Sequence, residues 1–413
     1  MSLPRTPKPF RAGTHRLVPP EQTLARAQRL MPVLGITRLA NVTGLDTLGL
    51  PVVMVTRPNA RSLSVAQGKG LTLTAAKVSG LMEAIESYHA EHITLPLKLA
   101  THQQLRFSHR LVDVAALPRC APGGFHEHLR TLWVEGRSLF DGGSRWLPYE
   151  LVHTDFTLPL PPGSGCFMMS SSGLASGNHL TEALSHGLCE LLERDATTLW
   201  WLRGREEKLR TRVALESVED PACREVLERY ERAGVAVTLW DVTSDTGVAA
   251  FRCAIAPGEL DPQRPLGPMG GLGCHPAREI ALLRALTEAA QSRLTLISGA
   301  RDDMFSQRLE PAALRQRLRQ FHEHREAAGP RRRFSEVPTH ESDTFEGDVE
   351  WVLERLRAVG LGEAVGVDLS KPELGVPVVR VMVPGLEVLH ELPGYTPGAR
   401  ARAVLAAREE AGA

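Results

Sequence analysis

Short apolar runs along the chain alternate with longer segments in which apolar residues recur at helical spacing. The apolar runs predict strands at residues 51–55, 131–134, 146–149, 236–241, 248–255, 364–368 and 376–383. The helical spacing predicts helices at 21–30, 74–91, 181–202, 215–233 and 348–358, and Pro276 suits the first turn of one more. This alternation predicts a mixed α/β (α+β) fold and not a helical bundle or a β-sandwich.

Three of the predicted helices contain a related acidic turn. Residues 80–86 read GLMEAIE, residues 187–193 read GLCELLE, and a looser copy at 285–291 reads ALTEAAQ. In each copy two acidic or amide side chains lie three residues apart, so both point from one face of the helix. A glycine-bearing loop precedes each helix. The pattern predicts internal pseudo-repeats of loop plus helix, and the order helix, strand, strand also occurs twice.

The acidic turns indicate a metal and phosphate site. Glu83, Glu86, Glu190 and Glu193 stand among apolar residues, so we expect them in a buried or cleft position, although surface pairs bridged to Lys or Arg are the common alternative. Oxygen ligands of this kind suit Mg²⁺, which usually bridges carboxylates to phosphates. Glycine loops and helix N-termini favour phosphate, and Lys69 adds a cation.

The familiar nucleotide-binding motifs are absent from the sequence. Residues 67–71, QGKGL, lack the upstream glycine and the Ser or Thr of a Walker A loop, and the G-L-G at 271–273 is too short for a dinucleotide-binding motif. A nucleotide site on this chain therefore has to be of another type.

Composition and length narrow the class of protein. The 413 residues are long enough for several subdomains, and Lys+Arg and Asp+Glu are equal at 48 each, which argues against a nucleic-acid-coating or membrane-surface protein. Six scattered cysteines without a C-x-x-C pair indicate reduced thiols. The N-terminus does not resemble a signal peptide, and no apolar run is long enough to span a membrane, so we expect a cytoplasmic location.

Several short blocks together resemble the YcaO domain family. They appear in the family's order and cover about residues 35 to 390. The blocks are Gln67-Gly68-Lys69-Gly70, Ser79 with Glu83 and Glu86, Gly173 to Asn178 with Glu182, Glu190-x-x-Glu193-Arg194-Asp195, and Arg284-x-x-x-Glu288-x-x-Gln291. Ser87 departs from the pattern, because the family commonly has Arg after the first pair of glutamates.

The resemblance implies a YcaO-like fold with its pseudo-repeats around an ATP cleft, and an enzyme that uses ATP and Mg²⁺ to phosphorylate a peptide-backbone amide oxygen. It implies an N-terminal arm and helix at 1–45, a catalytic domain at 46–390 with subdomains of about 46–205 and 206–390, and a tail at 391–413. The implied catalytic residues are Glu83, Glu86, Glu190, Glu193, Arg194 and Arg284, and the four glutamates are the implied Mg²⁺ ligands. The implied ATP contacts are Ser64, Lys69, Ser79, Asn178, Glu182, Arg194, Arg284, Glu288 and Gln291.

Some of these residues also have simpler explanations. Arg194 could form a structural ion pair with Glu190, Asn178 could cap a helix, and Glu182 could complement a helix dipole.

The amino-acid sequence of the first block, residues 59–91, is similar to that of family members that work beside a TfuA protein. This similarity implies thioamide formation on a peptide or protein substrate. The alternatives are an azoline-forming cyclodehydratase with a separate leader-peptide-binding partner, and an ATP-binding accessory factor for ribosomal-protein modification. A homodimer stays open as the assembly.

Overall fold

The computed structural model describes residues 5–120, 124–259, 266–301 and 310–412, and it confirms the mixed α/β class. The strands are β1 (Arg38–Asn41), β2 (Val52–Thr56), β3 (Val65–Lys69), β4 (Leu97–Thr101), β5 (Arg130–Ser138), β6 (Ser144–Pro148), β7 (Leu174–Ser176), β8 (Val235–Asp241), β9 (Ala250–Pro257), β10 (Met269–Cys274), β11 (Val365–Asp368) and β12 (Val378–Met382). The α-helices are α1 (Pro20–Leu30), α2 (Leu73–Glu91), α3 (His102–Leu105), α4 (Leu180–Leu202), α5 (Arg205–Arg210), α6 (Pro221–Arg232), α7 (Arg278–Ser298), α8 (Pro311–Glu326), α9 (Phe345–Ala358) and α10 (Ala399–Gly412). Within these ranges, no helix combines the length and the apolar character needed to cross a bilayer.

The strands form three antiparallel sheets. The orders are β1-β2-β3, β10-β9-β8 and β4-β5-β11-β12-β7, with β6 paired to β5 at the side of the third sheet. Residues 93–165 are rich in Pro and Gly, a composition typical of a connecting layer that carries the strands predicted at 131–134 and 146–149. These strands are β5 and β6, and with β4 they make half of the largest sheet.

Each acidic helix packs on the strand that precedes it, and all three predicted glycine loops contain a strand. β3, β7 and β10 lie at the positions predicted as loops, so that prediction is wrong. The cause is close packing, because a Cβ on Gly68 would lie 2.0 Å from the carbonyl oxygen of Ala76, and one on Gly271 would lie 2.2 Å from that of Ala285. Glycine lets the strand backbone touch the helix backbone.

The first two units share one such contact at positions that the repeat aligns. A Cβ on Gly70 would lie 2.9 Å from the backbone nitrogen of Ala76, and a Cβ on Gly177 would lie 2.7 Å from that of Ala183. The strand therefore meets the first turn of its helix in the same way in both copies.

The three strand–helix units close into a ring. In addition to its own strand, α2 contacts β7, α4 contacts β10, and α7 contacts β3. Because each helix bridges to the next unit, the inward faces of α2, α4 and α7 meet at one centre. The acidic turns lie on these faces.

Two further elements differ from their predicted bounds or character. The helix predicted at 215–233 is a 3₁₀ turn at Leu215–Ser217 followed by α6, which begins at Pro221 because Asp220 caps its N-terminus. The predicted tail at 391–413, whose Ala-, Arg- and Glu-rich end favours a frayed helix, contains α10. Arg400 of α10 bonds to Asp195 of α4 at 3.0 Å, and Ala401 is buried, so this helix is anchored to the core.

Candidate active site

The first glutamate of each acidic turn is held by a backbone N–H of a preceding strand or strand-flanking residue. The three bonds are Gln67 N to Glu83 Oε2 at 3.4 Å, Gly173 N to Glu190 Oε2 at 3.1 Å, and Leu272 N to Glu288 Oε1 at 3.1 Å. One contact thus occurs in all three units and turns a carboxylate from each helix toward the common centre.

The second acidic or amide residue of each turn has a different partner in each unit. Glu86 crosses to the next unit, where the backbone N–H and the hydroxyl of Ser176 donate to it at 2.8 and 2.6 Å. Gln291 donates to the side-chain oxygen of Gln67 at 3.2 Å. Glu193 is only 7 % exposed, yet within the described residues it accepts no hydrogen bond and forms no ion pair.

Burial raises the pKa values of three of the carboxyl groups. Burial raises the pKa of Glu86 to about 8, and the charges of Glu83 and Glu190 add to the shift. Burial likewise raises the pKa of Glu83 to about 7, against the opposing effect of Lys69. The pKa of Glu193 rises to about 7 through burial and the nearby Glu288. These three carboxyl groups therefore hold their protons more tightly than a solvent-exposed glutamate does.

These residues fit Mg²⁺. A divalent cation accepts several carboxylate oxygens as ligands, and its charge would offset the burial of these carboxylates, which is the main cause of the three raised pKa values. Glu193, which has no partner of its own in the described chain, is the most direct sign of this fit.

Three cationic side chains surround the carboxylates. Lys69 donates to Glu288 at 2.7 Å, and Arg194 donates to Glu190 at 2.5 and 3.2 Å. The ion pair that was the simpler explanation of Arg194 is therefore present, and the same side chain faces the site. Arg284 donates to the Nε2 atom of His186 at 2.8 Å. Burial and the charge of Arg284 hold the pKa of His186 well below its usual value, so its ring is a neutral acceptor.

Asn178 and Glu182 lie together at the start of α4. Asn178 Nδ2 donates to Glu182 Oε1 at 3.2 Å, and Glu182 is buried in the first turn. The helix cap is His179, whose ring nitrogen accepts from the backbone N–H of Thr181, so Asn178 is not the cap.

The N-terminal segment covers this pair. Its contacts are Thr23 Oγ1 to Asn178 Oδ1 at 2.8 Å, Arg26 Nη2 to Asn178 Oδ1 at 2.6 Å, Leu17 N to Glu182 Oε2 at 3.0 Å, and Arg16 Nε to Glu182 Oε1 at 3.6 Å. The arm is therefore part of the wall of the site.

The two predicted serines differ in position. Ser79 lies one turn before Glu83 on the same face of α2 and is half-buried. Ser64 is exposed in the connection between β2 and β3, and in its described bond its main-chain oxygen accepts from the Arg57 N–H. Ser87, at the departure from the family pattern, donates to the main-chain oxygen of Glu83 at 3.1 Å and stays on its own helix.

Sequence reasoning missed several residues of this wall. His186 lies four residues after Glu182 and four before Glu190, so helical spacing alone could have identified it. Gln67 was noted as part of a motif but not as a partner of Gln291. Arg16 and Arg26 had no sequence signal, because they reach α4 from the distant N-terminal segment.

Comparison with known proteins identifies the family. Residues 67–387 match the YcaO cyclodehydratase family, which is described as ATP- and Mg²⁺-binding. This chain belongs to the YcaO family. ATP and Mg²⁺, the expected cofactors, are thereby confirmed at the level of the family, whose members are ATP-dependent peptide-modifying enzymes.

Relatives of this YcaO protein cover nearly its whole length. An uncharacterized protein in the tfuA 3′ region of Rhizobium leguminosarum bv. trifolii is 41 % identical over 380 residues, which are 90 % of this chain and 89 % of the relative. A heterocyclase solved in complex with substrate and cofactor superposes with a TM-score of 0.78 at 27 % identity, over 97 % of this chain and 56 % of that one. The YcaO protein of Methanopyrus kandleri, bound with AMPPCP and Mg²⁺, gives a TM-score of 0.73 at 23 % identity over 95 % and 99 % of the two chains, and shows the same fold.

Proposed function

We propose that this YcaO protein uses ATP and Mg²⁺ to activate a backbone amide of a peptide or protein, and that the product is a thioamide made with a TfuA-like partner. The observation that carries the activation chemistry is the ring of carboxylates from α2, α4 and α7 with raised pKa values at its centre. The relative in the tfuA 3′ region, at 41 % identity, supports the thioamide type and the partner.

Glu83, Glu86, Glu190 and Glu193 are the proposed Mg²⁺ ligands. Bound ATP supplies a phosphoryl group that turns the amide oxygen into a leaving group, a reaction that depends on positioning and charge neutralisation. The backbone N–H bonds to Glu83 and Glu190 fix the direction of these carboxylates before the metal binds, so little reorganisation is required of the protein.

The proposed ATP contacts lie around the same ring. Lys69, Arg194 and Arg284 supply positive charge for phosphate oxygens, and Glu288 and Gln291 lie on α7 beside Lys69 and Gln67. Asn178 and Glu182 form a polar patch at the start of α4, and Ser79 lies beside Glu83. Ser64 is the weakest of the predicted contacts, because its position is exposed.

A second candidate is an azoline-forming cyclodehydratase. The likeness to a heterocyclase, which superposes over 97 % of this chain, favours this second function. Both reactions begin with the same activation of an amide. The nucleophile distinguishes the two. It is a Cys, Ser or Thr side chain of the substrate for an azoline, and an external sulfur species for a thioamide.

Mass spectrometry of the product separates these functions. The protein is incubated with ATP, Mg²⁺, sodium hydrosulfide, a TfuA-like protein and a candidate peptide. A thioamide adds about 16 Da, whereas a ring loses about 18 Da as water, since the covalent change fixes each shift. A gain in mass that requires ATP, and that Glu190→Gln abolishes, is the expected result. A loss of water contradicts the thioamide, and an unmodified peptide despite bound ATP indicates an accessory factor.

A further inference from the structure

Arg380 of β12 is a buried arginine whose donors are largely unused. It is 1 % exposed, and its Nη2 atom donates to the main-chain oxygen of Ser170 at 2.6 Å. Its Nε and Nη1 atoms have no acceptor, and no carboxylate among the described residues lies within ion-pair distance. A buried guanidinium without acceptors is costly unless a ligand uses it.

Another buried arginine shows how a purely structural one is satisfied. Arg212 is 2 % exposed, and its guanidinium donates to the main-chain oxygens of Leu209, His324, Arg325, Ala327 and Ala328 at 2.8 to 3.4 Å. Arg212 therefore closes a loop through many carbonyls, whereas Arg380 meets one. The contrast indicates that Arg380 is not explained by packing of the chain alone.

A small cavity lies beside Arg380, next to the candidate active site. Arg380 and Arg194 both line this cavity of about 20 Å³, together with Met168, Met382 and Leu191. Glu387 also lines it, but its oxygens accept from residues 395–401 and are already engaged. A volume of this size holds one ligand about as large as a water molecule.

The cavity adjoins the carboxylate ring through Arg194. Arg194 pairs with Glu190 on the ring side and lines the cavity on the other. Burial lowers the pKa of Arg380 to about 10, with Glu190 opposing and Arg194 adding to the shift, so the guanidinium keeps its charge near neutral pH. The two methionines and Leu191 give the cavity an apolar wall that favours a small, weakly hydrated anion over phosphate.

We propose that Arg380 and this cavity bind a small monovalent anion, and that in thioamide formation the anion is hydrosulfide, the sulfur nucleophile. The identity of the anion as hydrosulfide rests on the proposed function, whereas the anion site does not. Two cationic donors hold the charge, and the methionine sulfurs and leucine suit a polarizable ion. Arg380 is then a substrate-binding residue beside Arg194, which pairs with Glu190 of the ring.

The reaction balances with hydrosulfide as the sulfur source. One amide, one hydrosulfide ion and one ATP give a thioamide, ADP and phosphate. The carbon–sulfur bond forms and the carbon–oxygen bond of the amide breaks. The amide oxygen leaves as part of the phosphate, which also takes the proton of the hydrosulfide, and no oxidant or reductant is required.

Bromide tests the anion site without reference to activity. Crystals of the full-length protein are soaked in sodium bromide, and the anomalous signal of bromine is measured. We expect bromide within hydrogen-bond distance of Arg380 Nε and Nη1, and no peak there in crystals of Arg380→Met. An empty position in the wild-type crystals overturns the proposal. Arg380→Met should fold, because it replaces an unpaired buried charge by an apolar side chain of similar length.

Kinetics test the identity of the anion. In Arg380→Met the KM for hydrosulfide should rise roughly tenfold to a hundredfold, as for the loss of charge-assisted hydrogen bonds, while the KM for ATP stays within about twofold. Arg380→Lys keeps the charge with fewer aligned donors, so its KM for hydrosulfide should lie between those of the wild type and Arg380→Met. An unchanged KM for hydrosulfide, or an equal rise for ATP, rejects hydrosulfide as the ligand. If the wild-type protein makes no thioamide at all, the proposed function fails and the bromide experiment still decides the anion site.

Discussion

At the scale of single residues, the glutamates of the ring are not equivalent. Glu288 is neutralised by Lys69, and Glu190 by Arg194. Glu83, Glu86 and Glu193 depend on backbone or hydroxyl donors, or on none in the described chain, and these are the three whose pKa values are raised by burial. Metal binding should therefore lower the pKa values of Glu83, Glu86 and Glu193 most.

Glu190→Gln should weaken the binding of ATP with Mg²⁺ by about tenfold or more, because it removes one charged ligand from the proposed metal site. Isothermal titration calorimetry measures the affinity. Glu225→Gln is a matched control, because Glu225 forms the same i, i+4 pair with Arg229 on an exposed face and should bind normally. Equal affinity in both variants would remove Glu190 from the metal site.

The stability of the metal-free protein should fall as the pH rises through the range in which Glu193 titrates. Burial raises its pKa from 4.5 to about 7, so between these values the folded protein binds more protons than the unfolded chain, and the free energy of unfolding decreases with pH. Glu193→Gln should remove this contribution and stabilise the metal-free protein at pH 8 by on the order of 2 kcal/mol. Urea unfolding in EDTA at several pH values measures the difference, and parallel curves for the two proteins would contradict the assignment.

At the scale of elements, the acidic helices are positioned by strands that lie directly on them. Gly68 and Gly271 allow this approach, and the same strands supply the backbone N–H groups of Gln67 and Leu272 that hold the glutamates. The glycines thus act on the site indirectly, through the distance between strand and helix, and not as an open phosphate-binding loop.

Gly68→Ala should lower the free energy of unfolding by about 3 kcal/mol, because its Cβ would lie 2.0 Å from a helix carbonyl and force β3 away from α2. Gly362→Ala is the control, since nothing lies within 4 Å of its added Cβ. Chemical denaturation of both variants tests this. Equal stability would show that β3 can move without cost.

The sequence was informative where a pattern is local. Spacing in the acidic turns correctly placed Glu83, Glu190 and Glu288 on helix faces, and strand and helix positions were largely confirmed. Two features depend on contacts between distant segments and could not be predicted in this way. Residues 16–26 reach Asn178 and Glu182 across the fold, and β4 to β6 join a sheet completed by β11 and β12.

At the scale of the whole molecule, closure of three units into a ring explains why residues far apart in the chain share one site. Glu86 bonds to Ser176 of the next unit, and Lys69 bonds to Glu288 of the third. The two ends of the chain pack against the ring from outside. The N-terminal arm contacts both α4 and α9, and α10 contacts α4. Substitutions that loosen either end should therefore alter the site by displacing α4.

Arg400→Met should destabilise the whole protein by about 3–5 kcal/mol, because it leaves the fully buried carboxylate of Asp195 without its cation. Arg402→Met is the control, since Arg402 is exposed and bonds only to a nearby main-chain oxygen. Thermal unfolding monitored by circular dichroism compares the two. A normal midpoint for Arg400→Met would show that α10 is a dispensable tail.

In the proposed reaction the oxygen of a substrate amide is transferred to phosphate. A peptide whose backbone amide carries heavy oxygen, incubated with ATP, Mg²⁺, hydrosulfide and the partner protein, reveals this transfer. We expect the released phosphate to contain the heavy oxygen, one atom for each modified amide. Modified peptide formed with unlabelled phosphate would contradict amide phosphorylation, whichever product is made.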